Sequence, residues 1–256
     1  MPHGLEVHIM GGKRLRGGLT LLLHDVLGGR DRAAALDLAA SVEVAHSIGL
    51  MIDDVLDGDV ERRGEAAVHV DMGIGRAMLE ALGLMSVPYA LAAEHGREAV
   101  ESLARVHRSL VSGARIEIST SDTSWELYHS IIAQKTGGLF ALSTAYGAMA
   151  ADAGQEVVEA AREYGMRCGI AYQVIDDILD MDHANEAGGC SGPMLARLLR
   201  AEGHGPDAGV DRLYHRCVVE AQEAGEAISA LASPTDPFLL SCLTGAPTEM
   251  ARMMLK

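Results

Sequence analysis

Apolar residues recur every three or four positions along almost the whole chain. No run of alternating Val, Ile, Thr and aromatic residues bounded by hairpin turns interrupts them. This period predicts helices near 17–27, 31–58, 76–87, 97–120, 124–150, 154–183, 193–201, 207–231, 237–244 and 247–255. Asp31 is placed to cap the second segment. Thr123, with Glu126 three residues on, has capping-box spacing for the fifth. Gly28 and Gly29 end the first helix, and Asn185 to Pro193 (NEAGGCSGP) is the clearest loop. That loop is either a lid over whatever lies beside it or an ordinary connection. The expected architecture is all-α, one domain over residues 1–256.

Two acidic pentads interrupt the apolar pattern, Asp53-Asp54-Val55-Leu56-Asp57 and Asp176-Asp177-Ile178-Leu179-Asp180. Positions i and i+4 share a helix face, so Asp53 pairs with Asp57 and Asp176 with Asp180. If the two helices face each other, four or more carboxylates converge on one cavity. Like charges ~4 Å apart repel by ~4 kcal/mol at an effective dielectric of ~20, so such a cluster needs cations or protons. Oxygen ligands favour Mg²⁺, which completes its shell with water and substrate phosphate. One such pentad is usually a solvated acidic face; two with the same spacing, each flanked by apolar residues, reverse that expectation.

Basic residues answer the acidic ones. Gly11-Gly12-Lys13-Arg14-Leu15-Arg16 sets a glycine turn and three cations before the first helix, a place that favours anions. Lys13 and Arg16 are spaced to grip one diphosphate. Arg62 and Arg63 follow the first pentad near an expected helix end, so they serve two separate anions or merely offset the helix dipole. Lys135-Thr136 lies mid-helix among apolar neighbours, Gln173 one turn before Asp176, and His46 two turns before Asp53.

Composition narrows the partners. The chain is 48% hydrophobic but 4% aromatic, and its formal charge is 21 − 36 = −15. That balance disfavours nucleic acid and anionic membrane surfaces. The stretch from Gly137 to Ala151 is too short to span a bilayer and reads as a buried core helix. Cys168, Cys190, Cys217 and Cys242 show no metal-site spacing and, without a signal peptide, read as reduced thiols of a cytoplasmic protein.

Taken together, GGKRLR, DDVLDGDVERRG, the Lys135-Thr136 pair and YQVIDDILD resemble the trans-isoprenyl diphosphate synthases, the polyprenyl synthetase family, from about Gly11 to Asp180. The resemblance implies an all-α isoprenoid-synthase bundle around a deep central cavity, usually a homodimer, with a heteromer with a complete synthase as the other possibility. It also implies condensation of isopentenyl diphosphate with an allylic diphosphate through a carbocation, helped by Mg²⁺, three ions with substrate bound. On this reading Asp53, Asp54, Asp57, Lys135 and Asp176 carry the chemistry. Asp53, Asp57 and Asp176 would bind the ions, with Asp177 and Asp180 in the same metal cluster and Asp54 supporting it. Arg62, Lys135, Thr136 and Gln173 would hold the allylic diphosphate; Gly12, Lys13, Arg16, His46 and Arg63 would hold isopentenyl diphosphate. The helix before the first pentad normally sets product length. Here the positions are Ala45, Ile48 and Gly49, with no aromatic plug, so products of C20 or longer are expected.

The chain also departs from the family pattern. Ile52 stands where a His is usual, Gly113 to Glu117 keeps an acid but loses a Gln, and Cys190 falls where a loop Lys is expected; a second Lys further on is also absent, with Arg197 or Arg200 as its substitutes. The family's first helix is expected to be missing before GGKRLR. These departures keep a second reading open, a catalytically weak or non-catalytic diphosphate-binding subunit. A terpene cyclase would lack GGKRLR and the second aspartate pentad.

Overall fold

The computed structural model describes residues 8–187, 194–201, 218–228, 230 and 236–254. The order is α1 (Leu15–Val26), α2 (Arg32–Asp57), a hairpin of β1 (Glu61–Arg62) and β2 (Glu65–Ala66), α3 (Val68–Met72), α4 (Ile74–Leu84) and α5 (Ser86–Ala93). Then come α6 (Arg97–Ser119), α7 (Trp125–Ile132), a π turn (Ala133–Gly137), α8 (Gly138–Ala150), α9 (Gln155–Ala187), α10 (Met194–Ala201) and α11 (Pro237–Met254). Residues 218–228 are helical as well. The all-α expectation holds, with one two-stranded hairpin added.

Helix α8 is the axis. Every residue from Gly138 to Ala148 is buried, as befits a helix apolar on all sides. It packs against α1, α2, α6 and α9. Glycines let two of these neighbours approach: a Cβ on Gly147 would lie 2.4 Å from the Thr20 carbonyl, and one on Gly165 2.2 Å from Thr144 Oγ1. Buried hydroxyls tie the layers. Thr20 donates to the Ser143 carbonyl (2.9 Å), Thr144 to the Ala161 carbonyl (2.6 Å) and Tyr146 to the Ala99 carbonyl (2.8 Å). Each satisfies a group that would otherwise cost ~1–3 kcal/mol when buried.

Helix α2 starts where expected, with the Asp31 carboxylate accepting from the Ala34 N–H at 2.9 Å. It is long and apolar enough to cross a bilayer by length and composition, but it packs between α1, α5 and α8. Gly58, at φ 73°, ends it in the left-handed conformation. The chain then turns back through Arg63 (φ 59°) and Gly64 (φ 80°), two successive positive-φ residues that suit a tight two-residue hairpin.

Several sequence expectations need correction. The helix expected over 124–150 is interrupted by the π turn. Its cap is Ser124, whose Oγ accepts from the Leu127 N–H (3.2 Å), one residue after Thr123. The segment expected over 76–87 is α4 and α5, divided at Met85 and preceded by the separate α3. Arg62 and Arg63 stand on the hairpin and not at a helix end. The break expected between 244 and 247 is absent: α11 runs through Pro247. Proline leaves the carbonyl four residues earlier without its helical donor. Here that carbonyl, on Leu243, takes the Tyr164 hydroxyl at 2.7 Å. The Asn185–Pro193 loop falls largely outside the described residues, Cys190 included.

Candidate active site

The ends of α1, α2, α6, the π turn and α9 surround a cavity of about 680 Å³. Its wall is charged, with Asp53, Asp57, Asp176 and Asp177 among its acids and Lys13, Arg14, Arg16 and Arg63 among its cations. A second cavity of about 310 Å³ shares Gly49, Asp53, Leu110 and Leu139 with the first and is lined almost wholly by apolar side chains of α2 and α6. A charged chamber therefore opens onto a greasy one, with Asp53 at the junction.

Both acidic pentads reach this cavity, as their spacing predicts, but their members differ. Burial above all pushes the carboxyls of Asp53 and Asp57 above the ordinary range, and the Lys135 ammonium only partly opposes it. Asp54 does not line the cavity: it is 1% exposed and accepts from Arg62 Nε at 2.7 Å and from Arg62 Nη2. It fixes Arg62, which also bridges to Asp59 at 2.8 Å. Asp177 accepts from the Tyr128 hydroxyl (2.7 Å) and from Gln173 Nε2 (2.9 Å), while Gln173 Oε1 accepts from Thr136 Oγ1 (2.5 Å). This relay orients the Gln173 amide and ties the π turn to α9. The backbone of Asp180 lies on α9; its side chain is outside the described residues.

The π turn carries Lys135 and Thr136, and such single-turn bulges recur at functional sites. Gly113 of α6 leaves room for it, since a Cβ there would meet Gln134 Cβ at 2.9 Å and the Lys135 nitrogen at 3.2 Å. Lys135 Nζ lies 2.6 Å from Glu117 and 3.9 Å from Asp53. Burial alone would lower its pKa, but the two acids outweigh it and push it up, keeping the ammonium charged.

Among the cations, Arg16 is buried with its guanidinium carbon 4.4 Å from the centroid of the Phe140 ring. Burial pulls its pKa down to about 10, so it stays charged at neutral pH, and among the described residues its buried Nε has no hydrogen-bond acceptor. Burial first, then Arg16 and Arg63, hold the His46 imidazole well below its usual range, so it stands neutral. Arg63 donates to the His8 carbonyl at 3.0 Å and lies over Gly12, where a Cβ would come within 2.5 Å of Nη2. Arg14 (φ 54°) and Arg63 are two of three positive-φ residues other than glycine among the described residues. Such backbone costs ~1–3 kcal/mol and persists where surroundings over-determine it. Lys13 lines the cavity, although its ammonium donates to the Met253 carbonyl at 2.9 Å.

Residues 4–191 match the sequence profile of the polyprenyl synthetases. The chain belongs to the polyprenyl synthetase family. It is 37% identical over 192 residues to a geranylfarnesyl diphosphate synthase of Aeropyrum pernix, covering 69% of this chain and 60% of that one. A nonaprenyl diphosphate synthase of Mycobacterium tuberculosis is 33% identical over 246 residues, 90% of this chain and 72% of the relative. Among solved structures, a polyprenyl synthase from Caulobacter crescentus, complexed with calcium and isoprenyl diphosphate, superposes with a TM-score of 0.76 at 28% identity. That match covers 97% of this chain and 88% of the other. The chain thus spans about 60% of the length of the Aeropyrum relative.

Two expectations for this polyprenyl synthetase fail on geometry. Ala45 and Gly49 line the apolar cavity, but Ile48 does not: it is fully buried against Met51, Val68, Ala77 and Ala81. Arg197 is exposed on α10 and not on the cavity wall; the Arg200 side chain is outside the described residues. Sequence reasoning assigned no role to Glu43, Tyr128 or Tyr172, all on the wall, and counted Arg14 only as one of three cations at the glycine turn. Glu43 had a usable signal, standing one turn before His46; Tyr128 meets Asp177 across 49 residues and had none.

Proposed function

We propose that this chain is a prenyltransferase that extends an allylic diphosphate with isopentenyl diphosphate. The observation that carries the reading is the charged chamber joined at Asp53 to the apolar one, a place for two diphosphates beside a place for a growing hydrocarbon. The names of the relatives support the same chemistry.

The residues suit magnesium. The wall offers oxygen donors, and its acids include carboxyls that burial makes reluctant to ionise without a cation. Magnesium takes one or two carboxylates and completes its shell with water and phosphate. Asp53, Asp57 and Asp176 would hold such ions, one or two carboxylates to each, with Asp177 oriented behind them. When bound, magnesium supplies positive charge that stabilises the leaving diphosphate.

The protein's own groups account for the rest. Lys135 and Arg62 place fixed positive charge where the allylic diphosphate departs as its C–O bond breaks. The Thr136–Gln173–Asp177 relay fixes the floor beneath it. Arg16, Arg63 and Lys13 hold the second diphosphate, and the Nε–H of Arg16, unpaired among the described residues, is a donor ready for one of its oxygens. The electron pair of the isopentenyl double bond then forms the new C–C bond, and loss of a proton restores a double bond in a chain five carbons longer. The apolar walls of α2 and α6 keep water from the cation.

Product length of C20 or more follows from Ala45 and Gly49, small residues on the cavity wall where an aromatic would block it. Ile74, Met78, Leu79 and Leu82 expose an apolar face on α4 that fits a homodimer. The test is product analysis with purified protein, Mg²⁺, labelled isopentenyl diphosphate and dimethylallyl, geranyl, farnesyl or geranylgeranyl primers. Elongated products lost in Asp53→Ala and Asp176→Ala support the reading. A folded protein that binds diphosphate yet elongates no primer would favour the subunit reading.

A further inference from the structure

An acid in a pocket built for an anion needs a reason, and Glu43 of α2 is such an acid. It is 9% exposed and lines the same wall as Arg14, Arg16 and Arg63, where its charge opposes diphosphate binding. Its oxygens are already engaged. Oε1 accepts from the Gly17 N–H at 2.7 Å, and Oε2 lies 3.5 Å from Arg14 Nη1.

The first bond caps a helix. α1 begins at Leu15, and its own N-cap residue, Arg14, makes no side-chain cap. The first amides of a helix need outside acceptors, and a carboxylate there also meets the positive end of the dipole. Glu43 supplies that acceptor from a neighbouring helix, 26 residues away in sequence. The second contact grips Arg14, whose Nη2 donates to the Ile9 carbonyl at 2.6 Å. Arg14 is thereby tethered on both sides while its backbone stands at φ 54°. The fit is close: a Cβ on Gly17 would meet Glu43 Cγ at 3.1 Å.

We propose that Glu43 is a positioning residue for isopentenyl diphosphate: by capping α1 from α2 and holding Arg14, it fixes the register of Lys13, Arg14 and Arg16 around the second diphosphate. This rests on the synthase reading above. One acid among four cations leaves a net charge of about +3 facing a diphosphate ester with three ionisable oxygens. What Glu43 subtracts in attraction it returns as fixed geometry, since cations on a frayed first turn would have to be ordered at each binding event.

The experiment compares Glu43→Ala, Glu43→Gln and Glu43→Asp. Each substrate is varied separately in steady-state elongation, and inorganic pyrophosphate is titrated calorimetrically without primer. Glu43→Ala should raise KM for isopentenyl diphosphate by about tenfold or more, the scale of losing hydrogen bonds to a charged group, with the KM for the allylic primer within about twofold. Glu43→Gln keeps an acceptor for the Gly17 N–H and should recover most of the loss. Glu43→Asp keeps the charge but draws it back by one methylene and should shift the same KM, so it decides the matter if the alanine variant does not fold. Equal shifts in both KM values, or no shift in Glu43→Asp, overturn the proposal. If the wild-type chain elongates nothing, the synthase reading fails by itself and the titration still decides. Weaker pyrophosphate binding in Glu43→Asp, restored in Glu43→Gln, supports the positioning role; unchanged or tighter binding overturns it.

Discussion

Adjacent aspartates on α2 should respond to the same substitution in opposite ways. Asp54 has a side chain 2% exposed and accepts twice from Arg62, itself 29% exposed. Removing one partner of a buried pair costs ~3–5 kcal/mol, and the partial exposure of Arg62 brings the expected loss for Asp54→Asn to about 2–3 kcal/mol. For a chain of this size that is a fall in Tm of roughly 4–12 °C. Asp53 is the reverse case, because burial raises its carboxyl pKa in the fold. A raised acid pKa means stability present below the unfolded value is lost as pH rises through the folded one, so ionised Asp53 weighs against folding at neutral pH. Asp53→Asn should therefore leave the metal-free protein as stable as wild type or more so, while abolishing elongation. Urea denaturation at pH 7.5 with chelator, beside a primer-extension assay, measures both. Equal destabilisation by the two substitutions, or a larger loss from Asp53→Asn, would refute the division of roles.

The remaining predictions concern the walls of the site. Gly49→Phe should shorten the longest product by at least one isoprene unit in thin-layer analysis, whereas Ile48→Phe should leave product length unchanged and cost ~1–3 kcal/mol by overpacking. Tyr128→Phe removes a donor from Asp177 and should lower kcat with a stability loss of about 1 kcal/mol, read by turnover and by denaturant titration. Burial pushes the Cys168 thiol up to about 12, so iodoacetamide at pH 8 followed by peptide mapping should label the partly exposed Cys242 and spare Cys168. Chelation should stop elongation and leave far-UV circular dichroism unchanged, with activity returning on adding Mg²⁺.

What was legible in the sequence was whatever a single helix decides for itself. The apolar period placed α1, α2, α6 and α9 within a few residues, and the Asp31 cap was read correctly because a cap is a local bond. The i, i+4 rule put Asp53 and Asp57 on one face, and both line the cavity. What it missed depends on a neighbour. Pro247 reads as a helix break until Tyr164, 79 residues from Leu243, supplies the missing donor. The π turn at Lys135 lies where α6 comes close at Gly113, which no local pattern announces. Arg62 and Arg63 read as a helix end, yet the left-handed Gly58 and Arg63 fold them back so that one meets Asp54 and the other the carbonyl of His8.

Ile48 shows the limit most sharply. It precedes Gly49 by one residue, and one residue on a helix is about 100° of rotation. Gly49, four residues after Ala45, shares its face and lines the hydrocarbon cavity, while Ile48 turns into the cluster with Met51 and Val68. The sequence pattern marks both positions as inward, because both are apolar and covered. Which of two apolar interiors a face meets, a solid one or a hollow one, is decided by the helices opposite, here α3 and α4 for Ile48 and α6 for Gly49. Residues that set product length are therefore best chosen by cavity wall and not by distance from the aspartates.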